Sequence, residues 1–423
     1  MQSLGPDGRL LFTTRAVRMF GFGLMSVVLV LYLAALGLPD VAIGLLLTLT
    51  LAGDAVVSLW LTTHADRVGR RRVLLVGALL MCLAGLGFAG TGTFAILAIA
   101  ATIGVISPSG NEVGPFLAVE QASLAQTVAD AVRTRVFGWF NLVGSFATAV
   151  GALAGGLLAG ALVASGRSPL EAYRAVIVGY ALVGVVLAAL FSRVSPAVEV
   201  PHAPDASITR RLGLHRSQRT VARLSALFTL DAFGGGFVVQ SLIAYWFHVR
   251  FAADPALIGA VLFAANLFAG FSALAAAHIA ERIGLIRTMV FTHLPSNVLL
   301  IAVPLMPTLP LAVLVLLARF SISQMDVPTR QSYTMAVVEP GERSAAAGIT
   351  GIARSVGAAV SPLAAAPLIG SVALAGIPFV LSGGLKIAYD VLLYRGFRGL
   401  RTPEEAKRAE VAPGTAAGPD APG

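Results

Sequence analysis

Long apolar stretches recur from one end of the chain to the other, and they constrain the fold more than any other feature. Each is about 20 residues long, the length that a helix needs to cross the hydrocarbon core of a bilayer. Only 12% of the 423 residues are charged and 57% are hydrophobic, whereas soluble domains carry about 25% charged residues. Backbone groups in lipid must be paired within the segment, so such runs predict helices. The sequence therefore predicts an all-α polytopic membrane protein.

The pattern predicts twelve transmembrane helices. They cover residues 12–37, 40–63, 73–92, 94–118, 136–163, 173–192, 221–248, 255–280, 288–305, 308–327, 344–369 and 373–394. Basic residues accumulate in cytoplasmic loops. With both termini in the cytoplasm, only Arg167, Arg174 and Arg250 fall outside. The net charge of +9 is thus explained by topology, and no nucleic acid partner is expected. We predict a multi-pass protein of a plasma membrane of the bacterial inner-membrane type.

A segment rich in proline, serine, histidine and arginine separates two groups of six spans. We predict an N-terminal six-helix bundle over residues 1–193, a cytoplasmic linker over 194–220 and a C-terminal six-helix bundle over 221–398. The linker is either a solvated hinge or a regulatory, lipid-contacting segment, since its arginines would be attracted to anionic lipid. Residues 399–423 are rich in Pro, Gly and Ala and are predicted to form a disordered cytoplasmic tail.

The two halves contain matching short motifs in the same order. Ile43-Gly44 recurs as Ile258-Gly259, and the run 66–69 recurs at the same offset as 281–284. Further along, Ala152 matches Pro362. Two parallel six-helix pseudo-repeats are the plan of one large transporter class, whose substrate site lies near the bilayer midplane between the halves.

The loop after span two reads Asp66-Arg67-Val68-Gly69-Arg70-Arg71-Arg72. It resembles the signature loop of the major facilitator superfamily. The resemblance implies that fold, and it implies that the loop meets the other half and latches one conformation. A plain positive-inside anchor is the alternative. The expected latch residues, from both copies of the motif, are Asp66, Arg67, Gly69, Arg70, Glu281, Arg282 and Gly284.

Span five is rich in small residues and resembles the antiporter motif of the same superfamily, with Ala147 and Ala152 in place of a glycine and the diagnostic proline. The resemblance implies export and tight packing between the two halves. Small residues allow helices to approach closely, so generic packing is the alternative. The residues expected at the domain interface are Gly138, Gly151, Gly155, Gly156, Gly348, Gly357 and Pro362.

Several ionisable residues lie inside the predicted spans. Burying a charged side chain in the bilayer costs free energy, so such residues are candidates for a functional role. Glu112 is the first choice for a proton carrier, in a stretch of span four that two prolines and two glycines weaken. Asp231 and Asp54 are further candidates, whereas Glu120 reads as a solvated end charge. A buried ion pair that only fixes packing is the alternative. Counting depth along the spans predicts three pairs: Arg18 with Glu112, Asp231 with Arg319, and Asp54 with Arg354. The first two would face the cavity and the third would form a gate.

Polar and aromatic residues of the cavity-lining spans are candidates for substrate contact, although each could equally be packed against a neighbour. They are Tyr32, Asn111, Phe233, Gln240, Tyr245, Asn266, Gln324 and Asp326.

The sequence favours a secondary active transporter that exports a small organic compound by proton-coupled alternating access. Proton-coupled uptake of a small metabolite is the alternative on the same fold, and the mostly Ala, Val, Leu and Phe composition of the spans favours efflux mildly.

A non-transporting sensor or scaffold is an alternative of a different class. No phosphate-binding loop, metal-ligand spacing or catalytic set is apparent, so we expect no enzyme activity, no cofactor and no metal. The expected partners are the substrate, protons and the bilayer, and the chain is expected to be a monomer.

Overall fold

The computed structural model describes residues 5–127, 130–199, 216–339 and 342–399. Within these ranges the chain is helical and contains no strand. Residues 200–215 of the predicted linker and 400–423 of the predicted tail lie outside the described residues. Among the described residues, eleven segments are long and apolar enough to cross a membrane. The prediction of an all-α polytopic membrane protein is confirmed.

Seven helices form the first half and eight form the second half of the described chain. In the first half they are α1 (Pro6–Ala35), α2 (Asp40–Val68), α3 (Arg70–Gly90), α4 (Phe94–Ile103), α5 (Phe116–Thr127), α6 (Asp130–Ala164) and α7 (Pro169–Phe191). In the second half they are α8 (Gln218–Gly236), α9 (Gln240–Phe251), α10 (Pro255–Ile283), α11 (Leu285–Ala302), α12 (Leu309–Ser323), α13 (Asp326–Ala336), α14 (Arg343–Gly370) and α15 (Ile377–Phe397). Predicted spans four, seven and ten each correspond to two helices.

The helix ends follow from local sequence chemistry. Ser168 and Glu171 form a reciprocal capping box at the start of α7, and such boxes satisfy two otherwise unpaired backbone donors. Asp254 accepts a 2.9 Å hydrogen bond from the backbone of Leu257 at the start of α10. Gly69 and Gly284 have φ angles of 105° and 88°, which only glycine adopts readily. These two glycines make the matching sharp turns α2–α3 and α10–α11, which define what we call the basic end of the bundle.

Span four is not the continuous helix that the sequence predicted. α4 ends at Ile103, and the chain is non-helical until α5 begins at Phe116. Pro108 and Pro115 cannot donate helical hydrogen bonds, and Gly110 and Gly114 both have positive φ angles. The interruption therefore lies inside the predicted fourth span, between residues 104 and 115.

Three side chains and one backbone N–H, from four other helices, satisfy the backbone that this interruption frees. Such irregular backbone is tolerated in membranes only where protein buries it or where it lines a cavity. One of these contacts is the 2.6 Å hydrogen bond from the Gly114 N–H to the Asp54 carboxylate of α2. The others run from Tyr180 of α7 to the Val105 carbonyl, from Thr148 of α6 to the Gly110 carbonyl, and from the Ser241 N–H of α9 to the Pro108 carbonyl.

Two seams of small residues join the halves, and they are related by the sequence repeat. A Cβ atom at Gly44 of α2 would lie 2.7 Å from the Pro362 carbonyl oxygen of α14. A Cβ atom at Gly259 of α10 would lie 2.8 Å from the Ala152 carbonyl oxygen of α6. Gly44 matches Gly259 in the repeat, and Ala152 matches Pro362. The internal symmetry read from the sequence is therefore present as two equivalent contacts between helix backbones.

Helix α9 adds three hydrogen bonds between the halves. The Gln240 side-chain amide donates to the Ser26 hydroxyl at 2.7 Å, the Ser241 N–H donates to the Pro108 carbonyl at 3.0 Å, and the Tyr245 hydroxyl donates to Asp40 at 3.1 Å. Asp40 begins α2, so these contacts lie toward the end opposite the basic end, which we call the far end. The halves are closed against each other there.

Candidate functional site

A cavity of about 550 Å³ lies between the two halves. One wall comes from α1, α2, α6 and the interrupted part of span four, and it is uncharged among the described lining residues. The opposite wall comes from α8 and later helices and carries all of the charged groups among the described lining residues. The charged lining residues are Asp231, Arg319, Asp326, Arg330, Arg354 and Lys386, with His293 beside them. The cavity is far more polar than the sequence suggested, so the composition argument for efflux is wrong.

Asp231 of α8 is the centre of the charged wall. Its carboxylate lies 2.6 Å from the Lys386 ammonium of α15 and 2.8 Å from the Arg354 guanidinium of α14. The Arg330 guanidinium of α13 is 3.4 Å away and also contacts Asp326 at 2.5 Å. Asp231 is 2% exposed, and a carboxylate buried this deeply requires such partners. One carboxylate thus ties three helices to α8.

A second layer of polar groups supports this cluster from α11 and α15. His293 Nδ1 lies 2.9 Å from the Asp390 carboxylate, and His293 Nε2 lies 3.9 Å from Asp231. The Asn297 side chain donates a 3.0 Å hydrogen bond to Asp390. His293 therefore lies between the carboxylates of Asp231 and Asp390, and its close contact with Asp390 fixes its orientation.

The first half carries a matching charge cluster. Arg18 of α1 contacts Glu112 at 3.1 Å and Glu120 at 2.7 Å, and Arg15 contacts Glu112 at 2.5 Å. The Thr14 hydroxyl donates a further hydrogen bond to Glu120. Two guanidiniums and two carboxylates balance here. Arg18 and Glu120 are fully buried, whereas the Glu112 side chain is 16% exposed and follows Asn111, which lines the cavity.

One of the three predicted ion pairs is present in the structure. Arg18 and Glu112 are in contact. Asp231 does not pair with Arg319, because the cations of α13, α14 and α15 occupy its carboxylate. Asp54 does not pair with Arg354, because it binds the Gly114 N–H and the Ser58 hydroxyl. Asp54 compensates for the interrupted helix, and the predicted gate between Asp54 and Arg354 is not formed.

Several functional residues were misread or missed at the sequence level. Glu120 was predicted to be a solvated end charge, but it is fully buried against Arg18. Arg330 lies beyond the predicted end of span ten at residue 327 and was not proposed as a site residue, but it lies in α13 beside Asp231. Lys386 and His293 were not proposed for the cavity at all. Both lie inside predicted spans, so the rule that marks ionisable residues within the membrane would have found them.

The predicted substrate contacts divide into two groups. Asn111, Gln240, Asn266, Gln324 and Asp326 line the cavity. Tyr32, Phe233 and Tyr245 do not appear among the residues that line it. The Tyr32 hydroxyl binds the Phe88 carbonyl inside the first half, the Phe233 ring packs at 5.3 Å on Phe237, and Tyr245 binds Asp40 at the far end.

The predicted interface residues also divide. Gly156 packs against Pro255 and Gly259 of the other half, and Pro362 packs against Gly44. Gly151, Gly155 and Gly357 instead meet the backbones of α1 and α8 within their own halves, because each faces its neighbouring helix rather than the seam. Gly138 and Gly348 have open space where a side chain would lie, so they are not interface positions.

The signature-like loop contacts the end of the first half and the start of the predicted linker. The Glu199 carboxylate accepts hydrogen bonds from the backbone N–H groups of Arg70 and Arg71 at 2.7 and 3.1 Å, which places a negative charge at the start of α3 as the helix dipole favours. The Arg71 side chain binds the Ser192 carbonyl. Arg67 is exposed, and the side chain of Asp66 lies outside the described residues. In the second copy, Arg282 lies 3.1 Å from His278, Glu281 is exposed, and Gly284 forms the turn.

Two bundles with a polar cavity between them and repeat-related seams define a secondary transporter. The sequence model of the Major Facilitator Superfamily matches residues 11–362, and the chain belongs to that family. The uncharacterized membrane protein YJR124C of Saccharomyces cerevisiae is 29% identical over 424 residues, covering 93% of this chain and 94% of that protein.

Solved structures of transporters share the fold at low sequence identity. A bacterial homologue of the human lysosomal transporter Spinster, in an inward-facing and unoccupied conformation, superposes with a TM-score of 0.72 at 15% identity, covering 95% of this chain and all of that chain. A D-xylose–proton symporter gives 0.70 at 14% identity, covering 92% and 98%. The human organic anion transporter MFSD10 gives 0.58 at 17% identity, covering 92% and 100%.

Proposed function

We propose that this transporter is driven by the proton gradient and that Glu112 carries the proton. The observation that supports the proposal is the balanced cluster of Arg15, Arg18, Glu112 and Glu120 next to the cavity. Of its two carboxylates, only Glu112 has an exposed fraction that water can reach. Protonation of Glu112 would leave two guanidiniums facing one carboxylate in a buried site, where an uncompensated charge is costly.

The coupling follows from the helices that the cluster joins. Arg15 and Arg18 lie on α1, and Glu112 lies in the interrupted part of span four, whose neighbouring Pro108 and Gly110 contact α9 and α6. Weakening the contact between α1 and Glu112 would therefore alter the wall that faces the second half. A proton would be bound on one side of the membrane and released on the other as the halves rock.

We propose efflux of a small organic compound, from the cytoplasm across a plasma membrane of the bacterial type, by a monomer whose termini are both cytoplasmic. The positive-inside bias supports this orientation, which would make the basic end cytoplasmic. The seam between Gly156 and Gly259 supports efflux, because it gives the antiporter-like span a close contact with the other half. Uptake by proton symport is the second candidate, and the charged wall of the cavity favours it.

Proton release from everted vesicles tests the proposal. A pH gradient is imposed and reported by a quenched weak-base dye, and candidate organic anions, cations and neutral metabolites are added one at a time. Efflux by exchange predicts that one class of compound restores the fluorescence, and that Glu112→Gln abolishes this response. Glu171→Gln removes the same charge at an exposed helix start and serves as the matched control.

Any of three results would contradict part of the proposal. A full response in Glu112→Gln would exclude Glu112 as the carrier. Substrate movement that leaves the pH gradient untouched would exclude proton coupling, and movement in symport with protons in right-side-out vesicles would replace efflux by uptake.

A further inference from the structure

The charged wall of the cavity points to the chemical class of the solute, and this inference rests on the proposed transport function of the same cavity. We propose that the cavity binds a small organic anion through its carboxylate or phosphate group. The anion would be held by Arg319, Arg354 and Lys386, in competition with the chain's own carboxylate at Asp231.

The balance of charges is the first support. Among the described lining residues, three arginines and one lysine face two aspartates. The first half adds no charge to the lining, because its wall there consists of groups such as Ser109, Asn111, Ser145 and Thr148. A cavity with an excess of positive charge inside a membrane is unfavourable when empty of anions. It attracts an anionic solute and repels cationic ones.

Arg319 provides the second support. It lies on α12 in the cavity wall, and its guanidinium lies 4.8 Å from the Phe320 ring centroid. Its Nε is buried without a hydrogen-bond partner, and no carboxylate of the described residues forms an ion pair with it. A guanidinium presents a planar fork that matches a carboxylate or phosphate. Arg319 is thus a free donor where a bound anion would compensate its charge.

Asp231 provides the third support, because it shows what the neighbouring donors bind. Lys386 and Arg354 hold its carboxylate at 2.6 and 2.8 Å, and they reach it from two separate helices. The Arg354 side chain is 33% exposed, so an entering solute can reach it. A solute carboxylate would accept hydrogen bonds from the same donors and would add Arg319, which Asp231 does not reach.

The rest of the cavity fits such a solute. Its volume of about 550 Å³ lies within the usual range for small-molecule sites. Hydroxyl and amide groups on the uncharged wall can form hydrogen bonds with polar parts of the solute. On the opposite wall, the Asn266 side chain of α10 donates a 3.1 Å hydrogen bond to the Gln240 side chain of α9. The solute would therefore have its anionic group at α12–α15 and its remaining atoms toward α6 and span four.

Equilibrium binding to the full chain in nanodiscs of neutral lipid tests the inference. Thermal unfolding is followed with benzoate, succinate and inorganic phosphate as anionic probes, tetraphenylphosphonium and choline as cations, and D-glucose as a neutral probe. Ionic strength is kept constant. At least one anion is expected to raise the melting temperature in a saturable way, whereas the cations and glucose are not. No gradient is present, so the result does not depend on proton coupling by Glu112.

Three variants separate recognition from folding. Arg319→Gln is expected to weaken binding of the anion at least about tenfold, Arg319→Lys is expected to restore part of it, and Arg250→Gln at the far end is expected to leave it unchanged. Asp231→Asn removes the competitor and is expected to strengthen anion binding while lowering the melting temperature of the empty protein. A residue with a merely structural role would not give that opposite pair of effects.

The inference is overturned if only cationic or neutral probes stabilise the protein, or if no anion does so up to about 10 mM, where even millimolar affinity would register. Unchanged anion affinity in Arg319→Gln would overturn it as well. Each of these failures would leave the proton-coupled mechanism open, and loss of proton coupling would leave anion binding intact.

Discussion

The seam at Gly259 offers the sharpest test of how the far end closes. A Cβ added there would lie 2.8 Å from both the Ala152 carbonyl oxygen and Gly156 Cα. Because both neighbours are helix backbone, neither can rotate away. Overpacking of this kind costs about 1–3 kcal/mol. The substitution Gly259→Ala is therefore expected to reduce the population of the closed state, relative to the state that is open at the far end, by about 5- to 150-fold.

Cysteine accessibility measures this shift. Cys82 is the free cysteine of the chain, and replacing it with alanine gives a clean background. A cysteine is then introduced by Ile243→Cys, at a cavity-lining position that is 2% exposed in the closed state. A membrane-impermeant maleimide is applied from the far end. Its labelling rate should be higher in Gly259→Ala, by up to the change of about 5- to 150-fold in the population of the closed state.

Gly348→Ala is the matched control, because a Cβ there meets nothing within 4 Å. It is expected to leave the labelling rate unchanged and to stabilise α14 slightly, since alanine suits a helix better than glycine. If Gly259→Ala labelled at the parental rate, or if Gly348→Ala accelerated labelling equally, close backbone contact would not be what closes the far end.

Two further predictions concern single hydrogen bonds. Asp54→Ala should lower the free energy of unfolding by about 1–3 kcal/mol, because the Gly114 N–H loses its acceptor. Asp54→Asn retains an oxygen that can accept this bond and should lower the free energy of unfolding by less. Equal losses for the two variants in urea unfolding would instead indicate that the negative charge itself matters. Tyr245→Phe removes the hydrogen bond to Asp40 and should weaken closure of the far end by about 0.5–1.5 kcal/mol. The maleimide assay would report this as a smaller acceleration of labelling than that of Gly259→Ala. An unchanged labelling rate would show that this hydrogen bond does not contribute to closure.

The membrane spans and the repeat could be predicted because hydropathy and turn chemistry are local properties of the sequence. Runs of apolar residues identify helices in lipid without knowledge of their neighbours. Gly44 and Gly259 could be matched as equivalent positions for the same reason. Their role at the seams required the structure, since Gly138 and Gly348 follow the same small-residue pattern, yet a Cβ atom added at either would meet nothing within 4 Å.

The charge clusters were only partly predictable because depth along a helix does not specify the direction that a side chain faces. Arg18 and Glu112 share both depth and direction, so counting found them. Asp231 shares depth with several cations, and the structure selects the three on α13, α14 and α15. Glu120 was misplaced because the interruption of span four changes how far α5 extends toward the basic end.

The interruption of span seven between α8 and α9 separates two tasks that a straight helix would combine. α8 carries Asp231, which is tied to its own half by three cations, and α9 carries three hydrogen bonds to the opposite half. Only Phe237, Val238 and Val239 connect them. The three-residue break therefore separates the helix that anchors the charge cluster from the helix that holds the far end closed, so a bend at these residues would leave the ion contacts of α8 in place while the contacts of α9 changed.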